Sequence, residues 1–175
     1  MKDGQKAIKD ALKFALQMEI DGKKFYAMAA RESNNRVGKD LYSWLAEQEG
    51  IHCKRFEEIY AALTAEKGWP VAGVNHAKPA RLGTIFSRLI KDAARPTGTG
   101  AAEIASADTA IEMETKSRDY YKQRADQATS EVEKKFFILI SAEEQGHYLA
   151  LIDYREYVTD PDGWFTRTEH HLLEG

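Results

Sequence analysis

The sequence predicts an all-α protein, a four-helix bundle with a long crossover between the second and third helices. Three observations support this prediction: four long segments with helical periodicity, two short links and one long link between them, and a repeat of polar residues on the predicted inner faces. The 175 residues are enough for one domain with a sizeable core. The apolar fraction of 43% and the charged fraction of 30% are those of an ordinary soluble globular protein.

The four helices are identified by apolar residues that recur every three or four positions. An N-cap at Asp3 is expected to begin the first helix, and Gly68 with Pro70 to end the second near Lys67. The sequence SEVE at 130–133 is a capping box that begins the fourth. The predicted ranges are about 3–33, 35–67, 101–128 and 130–158.

The links between the helices determine the predicted topology. Residues 34–38 and DPDG at 160–163 are turn-rich, whereas residues 68–100 form a long connection that contains a candidate short helix at 83–94. A bundle whose middle connection crosses over has this pattern. Residues 1–158 are therefore expected to form the bundle domain, and residues 159–175 a C-terminal tail that docks on the bundle or on a partner subunit.

Charge and cysteine content exclude several kinds of function. A formal net charge of -3 gives no electrostatic support for binding nucleic acid. Cys53 is the only cysteine, so neither an intramolecular disulfide nor a four-cysteine iron site can form within these residues. The polar N-terminus MKDGQKAIKD lacks the apolar core of a signal peptide, and no apolar run approaches a membrane span of about 18 residues. A cytoplasmic location without membrane contact is expected.

A repeat relates the two halves of the chain. A shift of 95 residues lays ALQMEIDGKKFY at 15–26 over AIEMETKSRDYY at 110–121. Each half therefore carries one Glu on its first helix and one Glu-x-x-His on its second. The residues that coincide in pairs are Glu19 with Glu114, Glu49 with Glu144, and His52 with His147.

These six residues interrupt apolar stripes that are predicted to face inward, and Glu and His three positions apart share a helix face. Four buried carboxylates without compensation would be costly, and burial would raise their pKa values. Two divalent cations would offset the four negative charges with both imidazoles neutral, and two ferric ions with an oxo bridge balance equally well. A single Glu-x-x-His is more often a solvated helix face, but two copies at matching spacing favour a dimetal site.

Other polar residues leave two interpretations open. Tyr26 and Tyr121 lie two turns beyond Glu19 and Glu114, and are either cofactor-binding residues that hydrogen-bond ligand carboxylates or tyrosines of the core. Cys53 is a small buried hydrophobe or a redox thiol, and the first interpretation is favoured. Three further histidines have no partner at ligand spacing and are interpreted as surface residues: His76, His170 and His171.

The sequence resembles the ferritin-like dimetal-carboxylate superfamily, and most of all the rubrerythrin family. LAEQEGIHCKRFEEI and ISAEEQGHYLALIDY are similar to the second and fourth helices of that family, and MEIDGKKFY and METKSRDYY to its first and third. The resemblance implies that Glu19, Glu49, His52, Glu114, Glu144 and His147 are metal ligands. The four carboxylates would also be the catalytic residues, with Glu49 and Glu144 as candidates for bridging two ions.

The resemblance implies a non-haem di-iron oxidoreductase that reduces hydrogen peroxide or dioxygen, with a part in the response to oxidative stress. Two iron ions per chain are expected, although Glu and His ligands also suit manganese or zinc. Because only one cysteine is present, electrons are expected from an external carrier such as a rubredoxin. The other expected partner is a second copy of the chain in a homodimer.

The chain departs from the family pattern at two places. Rubrerythrins usually carry a further Glu three residues after the third-helix ligand, where this chain has Ser117, and a rubredoxin domain with four cysteines. The plainer ligand set also resembles bacterioferritin and the ubiquinone-pathway hydroxylases. Iron storage, which requires a hollow shell, and hydroxylation of an organic substrate are therefore alternatives. A hydroxylase of a quinone needs an apolar membrane-facing surface, for which TIFSRLI at 84–90 is the candidate.

Overall fold

The predicted all-α four-helix bundle is confirmed by a computed structural model, which describes residues 2–70, 86, 89–90, 100–164 and 166. Helices α1 and α2 form one closely packed pair, α3 and α4 form the other, and the two pairs face each other. None of the helices in the described ranges is long and apolar enough to cross a membrane. The four long helices are α1 (Lys2–Glu32), α2 (Arg36–Thr64), α3 (Ala101–Gln127) and α4 (Glu131–Thr159).

Local signals explain where the helices start. Asn35 caps α2, since its side-chain oxygen accepts hydrogen bonds from the backbone N–H groups of Val37 at 2.8 Å and Gly38 at 3.3 Å. Ser130 caps α4 and accepts a hydrogen bond from the backbone N–H of Glu133 at 3.2 Å, as the capping box predicts. The expected N-cap at Asp3 was wrong, because α1 already begins at Lys2.

Helix α2 ends three residues before the predicted Lys67. The backbone of Glu66 takes a left-handed conformation with φ of 56°, and the N–H groups of Glu66 and Lys67 bond back to the carbonyls of Leu63 and Ala62. This is the Schellman arrangement, in which a left-handed residue just after a helix satisfies its last carbonyls. Glycine usually takes that position, and here Glu66 takes it two residues ahead of Gly68.

The core consists of two apolar clusters, one toward each end of the bundle. One contains Leu12, Phe56, Tyr121 and Phe136 among its buried residues. The other is built around Tyr26, Leu41, Leu45, Tyr154 and neighbouring residues. Along α1 and α2 the residues of the first cluster are separated from those of the second by a stretch whose inward positions are polar. The apolar clusters therefore enclose the polar centre from both ends.

The crossover and the tail are described only in part. Phe86 and Ile90 are helical and buried in the core, so these two residues of TIFSRLI, the candidate surface for a quinone hydroxylase, are not exposed. Trp164 is buried against Phe86 and Tyr157. The division into a bundle domain at 1–158 and a docking tail at 159–175 stays a prediction. The rest of both segments, with His76, His170 and His171, lies outside the described residues.

Candidate metal centre

Six polar side chains, from all four helices, converge in the middle of the bundle. None of them is more than 4% exposed, although four are carboxylates and two are imidazoles. Helix α1 supplies Glu19 and α3 supplies Glu114, while α2 and α4 each supply a Glu-x-x-His pair. The structure thus brings together the six residues that the repeat singled out: Glu19, Glu49, His52, Glu114, Glu144 and His147.

The six residues form two overlapping groups of four. Within each group, one potential ligand atom per residue lies within 4.8 Å of every other. Two carboxylates occur in both groups, and each of the remaining four residues belongs to one. The first group is Glu19, Glu49, His52 and Glu144, and the second is Glu49, Glu114, Glu144 and His147.

Both imidazoles turn their Nδ1 atoms toward the carboxylates. His52 Nδ1 lies 3.0 Å from Glu19 Oε2 and 3.1 Å from Glu144 Oε1. His147 Nδ1 lies 3.2 Å from Glu144 Oε2 and 3.5 Å from Glu114 Oε2. The two rings are stacked with centroids 5.6 Å apart. Nδ1 is therefore the nitrogen of each histidine that faces a prospective ion.

Two tyrosines hold carboxylates of the opposite half of the repeat. The hydroxyl of Tyr26 on α1 donates a hydrogen bond to Oε1 of Glu114 on α3, and Tyr121 on α3 donates one to Oε1 of Glu19 on α1. Burial, followed by the charge of the bound carboxylate, raises the pKa of both hydroxyls well above the ordinary value. Both tyrosines are therefore hydrogen-bond donors at neutral pH. Their part in binding a cofactor stays a prediction.

The carboxylates differ in their titration, contrary to the expectation that burial raises all four pKa values. Burial, then the charges of neighbouring carboxylates, raises the pKa of Glu19 and of Glu114. Burial and the charge of Glu144 also act to raise the pKa of Glu49, but hydrogen bonds with Glu19, His147 and His52 outweigh them and lower it to about 2. The pKa of Glu144 is likewise lowered, by both histidines against the effect of burial.

The histidines balance these ionised groups. Burial alone would lower the pKa of His52, but the charges of Glu144 and Glu19 raise it well above its ordinary value. His147 behaves in the same way beside Glu114 and Glu144. Without metal, the raised pKa values of both imidazoles and of Glu19 and Glu114 favour bound protons, whereas the lowered pKa values of Glu49 and Glu144 favour their ionised forms. Protons at the centre therefore provide part of the charge compensation that cations would otherwise provide.

The donor set fits a pair of metal ions. Within the described residues, two buried carboxylate oxygens accept no hydrogen bond: Glu114 Oε2 and Glu144 Oε1. The nearest histidine nitrogens lie 3.5 and 3.1 Å away from them. Buried oxygens without a donor are costly, and a cation satisfies them. Oxygen and imidazole ligands of this kind suit iron, manganese or zinc.

Two functional candidates were missed in the sequence. Glu143 Oε2 lies 2.9 Å from His52 Nε2, the outer nitrogen of that ring, and accepts a hydrogen bond from Arg55 Nη1 at 2.6 Å. Burial alone would raise the pKa of Glu143, but hydrogen bonds and charges from His52 and Arg55 lower it. Position could have indicated both residues, since Glu143 precedes Glu144 and Arg55 lies three residues after His52.

Cys53 lies next to His52 in sequence and is not part of either group. Its side chain is buried, and burial with the charges of Glu19 and Glu49 raises the pKa of the thiol to about 11. The thiol is therefore protonated at neutral pH and unreactive as a nucleophile. This agrees with the interpretation of Cys53 as a small buried hydrophobe.

The fold and the cluster define a class of protein. A four-helix bundle with one inward Glu on each of two helices and a Glu-x-x-His on each of the other two is characteristic of the ferritin-like dimetal-carboxylate proteins. Within that class, the model of the family described as Rubrerythrin matches residues 10–152, and the chain belongs to the rubrerythrin family. No match was found among curated proteins or among solved structures.

Proposed function

We propose that this protein is a non-haem di-iron redox protein that reduces hydrogen peroxide or dioxygen with electrons from an external carrier. The observation that carries the proposal is the sharing of Glu49 and Glu144 between the two groups of four. A carboxylate with two oxygens can contact two ions at once, and two ions held close together can act on one O–O bond. Membership of the rubrerythrin family supports the same function.

In this proposal Glu19 and His52 would hold one ion, Glu114 and His147 would hold the other, and Glu49 and Glu144 would serve both. Iron is favoured over zinc because zinc has no redox chemistry, whereas manganese is a result that metal analysis can still give. When bound, two ferrous ions supply one electron each, which together with two protons converts one hydrogen peroxide into two molecules of water.

The protein side chains orient the ligands and exclude water. The six residues are almost fully buried between two apolar clusters, so a prospective ion pair would have little contact with solvent. The hydroxyls of Tyr26 and Tyr121 keep one oxygen of Glu114 and of Glu19 hydrogen-bonded, which leaves the other oxygen for the ion. These contacts fix ligand geometry before any metal arrives.

Sustained turnover requires a source of electrons other than this centre. A pair of ferrous ions holds only the two electrons that one peroxide consumes. Cys53 is the only cysteine among the 175 residues, so a four-cysteine iron site has to lie elsewhere. We therefore propose a rubredoxin or a similar small carrier as the electron donor. The buried Phe86 and Ile90 argue against the quinone hydroxylase.

The test combines metal analysis with rapid kinetics. Protein purified without added metal is analysed for its metals, loaded anaerobically with ferrous iron, and mixed with peroxide or with oxygen in a stopped-flow instrument. Faster oxidation by peroxide supports peroxide as the substrate, whereas equal or slower oxidation by peroxide argues against a peroxide reductase and leaves dioxygen reduction, storage or hydroxylation. Glu49→Gln should abolish the reaction, while Glu58→Gln, which removes an exposed carboxylate on α2, should not.

Steady-state assays test the external carrier. NADH alone should not sustain turnover after the first cycle, and NADH with rubredoxin and its reductase should. Sustained turnover on NADH alone would contradict the need for a carrier. The mass in solution separates the remaining alternatives, because a hollow shell of many subunits indicates storage, whereas the proposed assembly is a homodimer.

A further inference from the structure

The two histidines of the centre differ in the residues that contact them from outside the six-residue cluster. His52 Nε2 faces the carboxylate of Glu143, which Arg55 also binds. The ring of His147 instead lies edge to face with the indole of Trp44, with centroids 5.3 Å apart and planes at 90°. One imidazole is thus backed by an ion pair and the other by an aromatic ring.

This difference has a cause in the sequence, because the two halves of the repeat carry different residues at the equivalent positions. The shift of 95 residues that relates the two halves, for example Glu49 and Glu144, places Glu143 on Gln48 and Arg55 on Ala150. Neither counterpart carries a charge. Within the described ranges no hydrogen bond joins Gln48 to His147, so the second half lacks the ion pair of the first.

An ion pair at this place affects the ligand atom on the other side of the ring. A carboxylate that accepts a hydrogen bond from Nε2–H fixes the tautomer in which Nδ1 keeps its lone pair, and it makes that nitrogen a stronger ligand. The guanidinium of Arg55 offsets the charge of Glu143 and holds it in place by a charge-assisted hydrogen bond. Trp44 can restrict the ring of His147 but offers no acceptor.

We propose that Glu143 and Arg55 are positioning residues that make the two metal positions unequal, so that the position beside His52 binds a divalent cation more tightly and fills first. The inference rests on the dimetal site of the proposed function, but on no part of its redox reaction. Its consequence is that the position beside His147 determines the metal concentration at which the pair is complete.

Stepwise titration tests this inference without any measurement of turnover. Metal-free protein is titrated anaerobically with Co²⁺, which is followed by its visible absorption, and the affinities are obtained by competition with a chelator. Two steps are expected, with affinities that differ by about tenfold or more. Glu143→Gln should weaken the tighter step by about 10–100-fold and leave the weaker one within about twofold.

Control variants separate positioning from a general effect on the fold. Glu58→Gln removes the same charge from an exposed position of α2 and should leave both steps unchanged. Arg55→Gln removes the partner of Glu143 and should weaken the same step as Glu143→Gln, while Arg55→Lys should restore part of the affinity. Thermal unfolding of each metal-free variant verifies folding, and Arg55→Gln serves as the test if Glu143→Gln does not fold.

The location of the first ion is the most direct outcome. Crystals of protein given one equivalent of Zn²⁺ should show anomalous scattering beside His52 and little beside His147. Equal affinities in the native protein, equal occupancy of both positions, or unchanged affinities in Glu143→Gln would overturn the inference while leaving a dimetal site intact. Failure to bind two ions at all would instead contradict the dimetal site on which the proposed function depends.

Discussion

The hydroxyl of Tyr26 hydrogen-bonds the carboxylate of Glu114, a residue of the opposite half of the repeat. Tyr121 and Glu19 make the same contact in the reverse direction. Each half of the chain therefore orients a carboxylate of the other half. This crossed pair links α1 to α3 across the middle of the bundle, where the two helix pairs otherwise have few close backbone contacts.

Removal of either hydroxyl should destabilise the protein and weaken metal binding. Tyr26→Phe leaves Glu114 Oε1 without its donor, which should lower the free energy of unfolding by about 1–3 kcal/mol. Tyr121→Phe should do the same through Glu19. Urea unfolding and metal titration measure the two effects. The control is Tyr120→Phe, whose hydroxyl bonds the carbonyl of Ala11 away from the centre, and an equal loss of metal affinity there would contradict the proposed role.

Shared and unshared carboxylates should differ in their effect on metal stoichiometry. Glu19 occurs in one group of four only, so Glu19→Gln should weaken binding at that group alone. About one ion per chain should then remain bound when the second group is saturated. Glu49 occurs in both groups, so Glu49→Gln should weaken the binding of both ions. Metal analysis after equilibrium dialysis measures the counts. Full binding of two ions by a Glu49→Ala, Glu144→Ala double variant would rule out the assigned ligands.

The metal-free protein should lose stability as pH rises. Glu19 and Glu114 have folded pKa values raised above the ordinary 4.5, and His52 and His147 have values raised above 6.5. A raised group contributes stability that is complete below its unfolded pKa and is lost as pH rises through the folded pKa. The decline should begin near pH 4.5 and steepen above pH 6.5, by up to about 1.4 kcal/mol per pH unit for each group.

The two carboxylates that occur in both groups of four should contribute to stability in the opposite direction. The pKa of Glu49 is lowered to about 2, so its contribution is present above pH 4.5 and is lost as pH falls toward 2. Urea unfolding at several pH values measures both the loss of stability at rising pH and the loss at falling pH. A Glu19→Gln, Glu114→Gln double variant should flatten the decline between pH 4.5 and 6.5. Bound metal should reverse the decline, because it favours the deprotonated ligands, and identical curves with and without metal would contradict this account.

A glycine at the end of the bundle should not tolerate a side chain. A Cβ added at Gly38 would lie 2.2 Å from the hydroxyl oxygen of Tyr154, which donates a hydrogen bond to Glu103 at 2.7 Å. Gly38→Ala should therefore lower the free energy of unfolding by about 1–3 kcal/mol. Gly4→Ala in α1 is the matched control, because nothing lies within 4 Å of the added Cβ, and helix propensity alone predicts a small gain. Equal stability of the two variants would show that the contact at Gly38 relaxes without cost.

The four helices could be predicted from the sequence because each buries one apolar stripe at helical spacing, and α3 was predicted to within one residue. Helix ends were less certain. The end of α2 depends on the left-handed backbone of Glu66, a residue that rarely takes this conformation, whereas Gly68 was the expected stop. At the start of α1, the predicted N-cap Asp3 lies inside the helix, which begins at Lys2. Capping preferences are weak compared with the tendency of a long helix to continue.

The sequence by itself determined which six residues meet, because the repeat and the periodicity place them on inward faces of four helices. Only the tertiary structure decided their partners. Seven residues of helix separate Tyr26 from Glu19 by about 10 Å, so its hydroxyl reaches across to Glu114 instead. The approach of α2 to α4 likewise places Glu143 against His52, and distances across helices divide the carboxylates into raised and lowered pKa values. Periodicity fixes the face on which a residue lies, whereas contacts between faces depend on how the helices pack.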